Sequence, residues 1–545
     1  MVWAEAEESS RTQGRGFPLL PLLLSIRRSV SGREGEMAEV SVPLLDGNGA
    51  QKEEVPLLQR TLVESKKLWR IAGPAIFTRL ATYGMNVVTQ AFVGHLGDLD
   101  LAAVSIASTV IVGFNFGLLL GMASALETLC GQAFGARRYS MLGVYLQRSF
   151  IIMFIFAVIL LPMYIFATPI LKFFGQTTAI AELSGSLAIW FIPQQFAFVL
   201  LFPLQRFLQC QLKNIVIACV TAIGFSVHCV LSWLLIDYLD LGLVGAAVSL
   251  NIGWWLPALG LLLYVVCGGC PQTWTGFSRE AFAGLWEFLK LSIASGVMIW
   301  SALPLSLSLT HTYSDLGNWY YRILVLLAGT LKNAEIAVDA LSICMNINGW
   351  EYMIPIAFLA ATGVRVSVEL GAGNAKGAKF ATVVSAATST VVGIIFWILI
   401  IVLHNEFFLV FTSSTEVLQA ASKLAILLAF TILLNSIQPV LSGVAVGSGW
   451  QAFVAYINIG CYYLVGVPVG AVLCWVLDLS VLGLWSGMIG GTAVQTLILG
   501  IIVIRCDWEK EAQKARSRVS KWSTTPIAAE TPRNGSSDET MTPNA

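Results

Sequence analysis

Asp339 stands between Val338 and Ala340 in an apolar run, Glu351 and Glu369 follow on the same stretch, and Glu127 lies near the end of a similar run in the first half. An ionised carboxylate inside hydrocarbon is costly, and burial favours its neutral form. Acids at such positions are therefore candidates for taking up and releasing protons. Other chemistries lack their parts. Most cysteines lie singly in apolar runs (Cys219, Cys229, Cys344, Cys461, Cys474) and act as small hydrophobes. Cys267 and Cys270 form a paired spacing with no second pair, so no metal site is expected. Gly131, Gly135, Gly371 and Gly373 are not followed by Lys-Ser/Thr, so they suit tight turns and close helix approach rather than a phosphate loop. A membrane-embedded transferase would need clustered aspartates or a histidine beside an acid, and neither pattern occurs. His228 stands alone in its run, a weak candidate for titration near neutrality.

The elements that must position these acids follow from composition. Hydrophobic residues make up 56% of the 545 and charged residues 12%. Of 64 charged side chains, 20 fall in residues 1–70 and 13 in 505–545, which leaves 31 for the 434 between. That middle region reads as membrane-spanning. The formal net charge of zero excludes a nucleic-acid partner, since phosphate binding needs a basic surface. Runs long enough for a bilayer core are expected at 71–93, 100–124, 145–167, 184–207, 215–237 and 243–267, interrupted between 286 and 329, then at 335–360, 380–403, 418–441, 452–476 and 480–504. They are too long and too uniformly apolar for β-barrel strands. Basic residues gather in alternate loops (Arg137, Arg138, Lys213, Arg279, Arg365, Lys376, Lys379), which places both termini in the cytoplasm.

The two halves repeat. Glu127-Thr-Leu-Cys-Gly-Gln-Ala-Phe-Gly135 aligns with Arg365-Val-Ser-Val-Glu-Leu-Gly-Ala-Gly373. Gly94-His-Leu-Gly aligns likewise with Gly329-Thr-Leu-Lys. Six spans per half keep the second half in the orientation of the first, so the repeats are parallel and enclose a central cleft. The expected fold is an all-α polytopic membrane protein of twelve transmembrane helices in two pseudo-symmetric six-helix bundles. The expected division is a largely disordered tail over 1–65, with 1–36 as an upstream extension, and a first lobe over 66–268. A cytoplasmic linker over 269–285 leads to a second lobe over 286–504 and a disordered tail over 505–545.

Six motifs in order across this repeat carry a family resemblance. They are Glu127 to Gly135, Arg206-Phe-Leu-Gln209-Cys-Gln, Asn318-Trp-Tyr-Tyr, Ala337-Val-Asp339-Ala-Leu-Ser-Ile, Arg365 to Asn374, and Gln438-Pro439-Val-Leu-Ser-Gly-Val-Ala. Together, over roughly residues 55–510, the chain resembles the plant-type multidrug and toxic compound extrusion transporters. The resemblance implies a secondary antiporter that exports or sequesters organic cations, flavonoids, alkaloids or other xenobiotics in exchange for protons, with Na⁺ left open as coupling ion. No cofactor and no enzymatic activity are implied, and the expected partners are a small organic substrate and the lipid bilayer, with the protein a monomer in the plasma or vacuolar membrane. A lipid or polyprenyl-linked flippase of the same superfamily is the alternative.

The resemblance also distributes roles. Asp339 matches a carboxylate that plant members use in the second lobe, which makes it the proton-coupling candidate. The other reading is a helix-end aspartate near Asn333 and Glu335. Asn86, Gln90, Trp319, Tyr320, Asn346, Asn435 and Gln438 are candidates to line the cleft, or simply to tie helices together. Pro74 matches the proline at which the first helix of the family bends, and Pro355 is a second bend candidate; a static kink is the other reading. Glu127 and Arg365, equivalent in the repeat and opposite in charge, are expected to form a structural lock at the cytoplasmic ends, with Gly131, Gly135, Gly371 and Gly373 around it.

One stretch breaks the repeat. The second half has 43 residues from Trp286 to Gly329 where the first has 25 from Trp69 to Gly94. The excess falls at 300–317, where the family carries a glutamate at the position of Gly317; Asp315 is the nearby substitute for it as a second proton carrier. Such an insert reads as a retained intron or misplaced splice boundary, or else a re-entrant segment, and the first reading implies weak or absent transport by the chain as written.

Overall fold

In the computed structural model, residues 56–173, 176–300, 334–409, 411–412 and 414–522 are described. The insert, with Asp315, Trp319 and Tyr320, lies outside the described residues. Helices account for nearly all of the rest. The first lobe holds α1 (Leu57–Gly94), α2 (Asp98–Gly135), α3 (Ser140–Ile165), the short α4 (Ala167–Phe173), α5 (Thr178–Trp190), α6 (Ile192–Cys210), α7 (Asn214–Tyr238) and α8 (Gly242–Gly269). The second holds α9 (Leu285–Trp300), α10 (Ala334–Gly371), α11 (Ala375–Leu409), α12 (Thr415–Ser448), α13 (Gln451–Trp475) and α14 (Ser480–Ile504), followed by α15 (Trp508–Trp522).

Among the described residues nine helices are by themselves long and apolar enough to cross a bilayer. The pair α5 and α6, bent by 49°, makes a tenth span. With α1, and with α9 entering the interrupted seventh run, the count agrees with twelve. The spacing of hydrophobic residues sets these lengths, since every backbone group inside lipid must be paired within its own helix. Short π-helical turns at Ala107–Val112, Trp233–Tyr238, Val265–Gly269 and Gly460–Gly466 locally rewind four spans.

Two expected boundaries move. The first helix begins at Leu57, inside the stretch assigned to the disordered tail, because Leu57 to Leu68 alternates apolar and charged residues as a helix leaving the membrane does. The tail after Arg505 was also expected to lack structure, yet α15 packs on the body. Trp508, Ala512, Ala515 and Val519 recur at helical spacing, are buried against Val366, Leu370, Ala375 and Val446, and leave the charged face outward. Composition alone hid this stripe because the helix is rich in Lys, Arg and Glu. The 269–285 linker is ordered against α3: Gln147 donates to the Gly276 carbonyl at 3.0 Å and accepts from the Ser278 amide at 2.9 Å.

Candidate functional site

The lobes meet along α1 and α2 on one side and α9 and α10 on the other. α2 and α10 cross at small residues. A side chain at Gly131 would strike Ser367, one at Gly135 the Val368 carbonyl, and one at Gly371 the backbone of Gln132. Gly131 and Gly135 form a Gly-x-x-x-Gly step, which lets two helix backbones touch. Gly373 differs: it sits at φ +73° and ends α10 against the Arg516 guanidinium.

Polar ties across the seam gather at the end where Gly135, Gly371 and α15 lie. Thr128 Oγ1 donates to the Val446 carbonyl at 2.6 Å, Gln132 Nε2 to the Gly447 carbonyl at 3.1 Å, and Gln451 Nε2 to Thr128 Oγ1 at 2.7 Å. Arg365 of α10 donates from Nε to Glu64 Oε1 of α1 at 2.8 Å and from Nη2 to Glu369 Oε1 at 2.6 Å. The tail helix adds to these ties, with Arg518 Nη1 donating to Gln132 Oε1 of the first lobe at 3.0 Å and to the Ser448 carbonyl of the second at 3.4 Å. Burial pushes the Arg518 guanidinium down from its ordinary value while Glu511 acts against that. Further along the seam Trp69 meets Phe358 and Tyr83 meets Trp350 edge to face, at 5.5 and 4.9 Å between ring centroids.

Glu127 and Arg365 do not pair with each other; each is held by other side chains. Glu127 is fully buried, and its Oε2 lies 2.8 Å from Arg206 Nη1 of α6. The contact is an ion pair by distance, although its angles fall short of a hydrogen bond. Arg206 also donates to Gln209 Oε1 at 3.1 Å. Arg79 of α1 lies within electrostatic reach of both Arg206 and Glu127. Each charge has other partners nearer: Arg206 of α6 meets Glu127, and Glu64 of α1 together with Glu369 one turn on meets Arg365.

The second lobe has a polar row between α10 and α12. Asn435 Nδ2 donates to Asn348 Oδ1 at 3.0 Å, and Gln438 Nε2 donates to Ser442 Oγ at 3.1 Å. The asparagine that meets Asn435 is Asn348 rather than Asn346. Asn346 is exposed, because two helical steps turn it about 200° away. Glu351, one turn from Asn348, is buried, and its Oε2 has no hydrogen-bond partner among the described residues. Pro355 stands four residues on, within an unbroken helix, and cannot donate to the Glu351 carbonyl. Asp339 is exposed toward the far end of α10 from Arg365.

In the first lobe Asn86 and Gln90 are half-buried one turn apart on α1. Helix α1 continues through Pro74, whose carbonyl accepts from Thr78 Oγ1 at 2.9 Å. His228 is buried, with Nε2 3.1 Å from the Met85 carbonyl and 3.2 Å from Thr89 Oγ1. Sequence reasoning missed the roles of Glu64, Arg79 and Arg206. A census of bases inside apolar runs, alongside the acids, would have flagged Arg79 as the sole charge in 71–94. No cluster of three metal-ligating side chains occurs among the described residues.

An all-helical chain in two repeat-related bundles, tied across a seam at one end and carrying charged side chains inside its spans, is a polytopic membrane carrier. A family model described as MatE matches residues 74–234 and again 314–472, once in each lobe. The chain belongs to this family, the multidrug and toxic compound extrusion transporters. It is 61% identical over 499 residues to Protein DETOXIFICATION 27 of Arabidopsis thaliana, covering 91% of this chain and 99% of that one. It is 56% identical over 493 residues to Protein DETOXIFICATION 26 of the same plant, covering 90% and 98%. The fold matches the crystal structure of the eukaryotic MATE transporter AtDTX14 with a TM-score of 0.77 and 35% identity, over 84% of this chain and 99% of that one.

Proposed function

We propose that this carrier is a secondary antiporter that exports or sequesters organic compounds in exchange for protons, from a cytoplasm that holds both ends of the chain, across the plasma or vacuolar membrane. The observation that supports proton exchange best is Glu351, a carboxylate buried in a span without a partner among the described residues. An acid so placed is stable when protonated and costly when charged, so a change of its surroundings between two states of the cleft exchanges a proton. Asp339, exposed on the same helix, is the second carrier candidate. Ties at the tail-side end describe a state closed toward the cytoplasm. Rocking the lobes about the α1–α10 and α2–α9 contacts would open it, with Pro74 and Pro355 as bend points. Asn86, Gln90, Asn435 and Gln438 supply hydrogen bonds for a substrate.

The test is transport by the full chain in proteoliposomes with an imposed pH gradient, with an organic cation and a flavonoid glycoside as separate probes. The gradient is expected to drive uptake, and replacing Na⁺ by K⁺ to leave the rate unchanged. Glu351→Gln or Asp339→Asn should abolish the pH response while equilibrium exchange of the probe persists. Uptake that ignores the gradient in the unmodified chain would remove proton coupling, and a full response in both variants would move it elsewhere.

A further inference from the structure

We infer that Arg518 is the latch of the tail-side gate: α15, footed on the second lobe, holds the seam shut through this side chain, and opening the carrier requires Gln132 of the first lobe to leave it. This rests on the rocking of the lobes proposed above. Helix α15 belongs to the second lobe by its packing. Its buried stripe of Trp508, Ala512, Ala515 and Val519 lies on Val366 and Leu370 of α10, Ala375 of α11 and Val446 of α12. Its polar contacts agree. Glu511 Oε2 accepts from Trp450 Nε1 at 3.0 Å, and Arg516 Nη2 donates at 3.4 Å to the Ala372 carbonyl at the end of α10. Arg518 does the same for α12, at the Ser448 carbonyl beside Gly449, whose φ of +83° ends that helix. A guanidinium suits such a place, because the last carbonyls of a helix lack partners and carry the negative end of its dipole.

Arg518 goes further, since its Nη1 also donates to Gln132 Oε1 of α2 at 3.0 Å. Gln132 is fully buried, and the second lobe takes its amide at both ends: Nε2 donates to the Gly447 carbonyl at 3.1 Å while Oε1 accepts from Arg518. The glutamine is thus gripped between the end of α12 and the tail helix. Without the guanidinium its carbonyl oxygen stays buried and loses this donor for as long as the seam is shut, and a buried acceptor without a donor is costly. Water meets that oxygen once the lobes part, so loss of Arg518 favours the open state. Arg516, by contrast, donates within the lobe that carries α15, which makes it the internal control.

The full chain carrying Ser367→Cys, purified in detergent without substrate or pH gradient, is labelled with a charged maleimide. Position 367 lies against Gly131 of the opposite lobe, so the reagent reaches it when the lobes part. The rate is read by mass spectrometry on the tryptic peptide 366–376, which holds no native cysteine. Adding Arg518→Met is expected to raise the rate about fivefold, the weight of one hydrogen bond in the balance of two states, and Arg516→Met to leave it unchanged. Gln132→Leu also removes the tie to Gly447 and should raise the rate at least as much; adding Arg518→Met to it should raise it no further. A rise in Arg518→Met no larger than in Arg516→Met overturns the latch, and so does an additive double variant. Thermal unfolding of each variant is compared with the unmodified chain. Gln132→Leu leaves α15 intact and decides the matter even where Arg518→Met does not fold, since a rate equal to that of the unmodified chain overturns the latch. The assay holds no gradient and no substrate, so a failure of proton coupling leaves its outcome untouched, and a failed latch leaves the transport test intact.

Discussion

The two lobes share a repeat but not a polarity. Glu127 and Arg365 are equivalent in sequence, and each is buried near the tail-side end of its span. Glu127 forms its ion pair within its own lobe, with Arg206, whereas Arg365 reaches across the seam to Glu64 and along its own helix to Glu369. Among the described residues, the first lobe carries the half-buried Arg79 in its first span, and the second buries Glu351, whose Oε2 has no hydrogen-bond partner. Symmetry of the backbone therefore survives in the helix order and the close-packed glycines, while the charges have diverged into an internal brace on one side and a cross-lobe tie on the other. A brace contributes to stability in either state of the cleft. A tie is present only while the seam is shut.

The largest effect should come from breaking the brace. Arg206→Met leaves Glu127 buried and unpaired, a cost of about 3–5 kcal/mol, and Arg206→Met with Glu127→Gln should recover most of it. Thermal unfolding of the purified chain measures this, and a single variant as stable as the double would show that the pair is not coupled. Arg365→Met should act differently, with a smaller loss of stability and a shift of the population toward the tail-open state. Accessibility of a cysteine placed at Ser367 to a charged thiol reagent reads that shift, after the native cysteines have been checked for reaction.

Next in size is the helix crossing. Gly135→Val and Gly371→Val each drive a side chain into the backbone of the opposite helix, which cannot move aside as a flexible side chain does. A cost of about 1–3 kcal/mol is expected for each, with tail-side closure weakened in both, by the same unfolding and accessibility measurements. Unequal effects would sharpen the comparison, since both glycines occupy the same crossing from opposite lobes. The smallest change is Gly373→Ala, which places a Cβ at φ +73° for a loss of about 1 kcal/mol. A loss well beyond that would show that Arg516 and the tail helix, not backbone strain, depend on this position.

Much of the architecture was legible in the residues alone. Scarcity of charge over 434 residues, runs of about twenty apolar residues and the 238-residue offset between Gly135 and Gly373 determined a twelve-span repeat, because lipid admits few other solutions. The same scarcity picked out Glu127, Asp339, Glu351 and Arg365, since a charge in such a run is conspicuous. Which of them is buried, exposed, paired or alone was not legible. Asp339 and Glu351 stand in similar runs of one helix, and only packing puts the first at the surface and the second inside. Arg206 and Glu64 lie 79 and 301 residues from the partners they hold, and α15 looks like a polar tail until its four buried residues meet the second lobe. Periodicity and hydropathy are local properties and set each helix by itself. Ion pairing and burial depend on which helices are neighbours and how each is rotated about its axis, and that was decided by the tertiary structure.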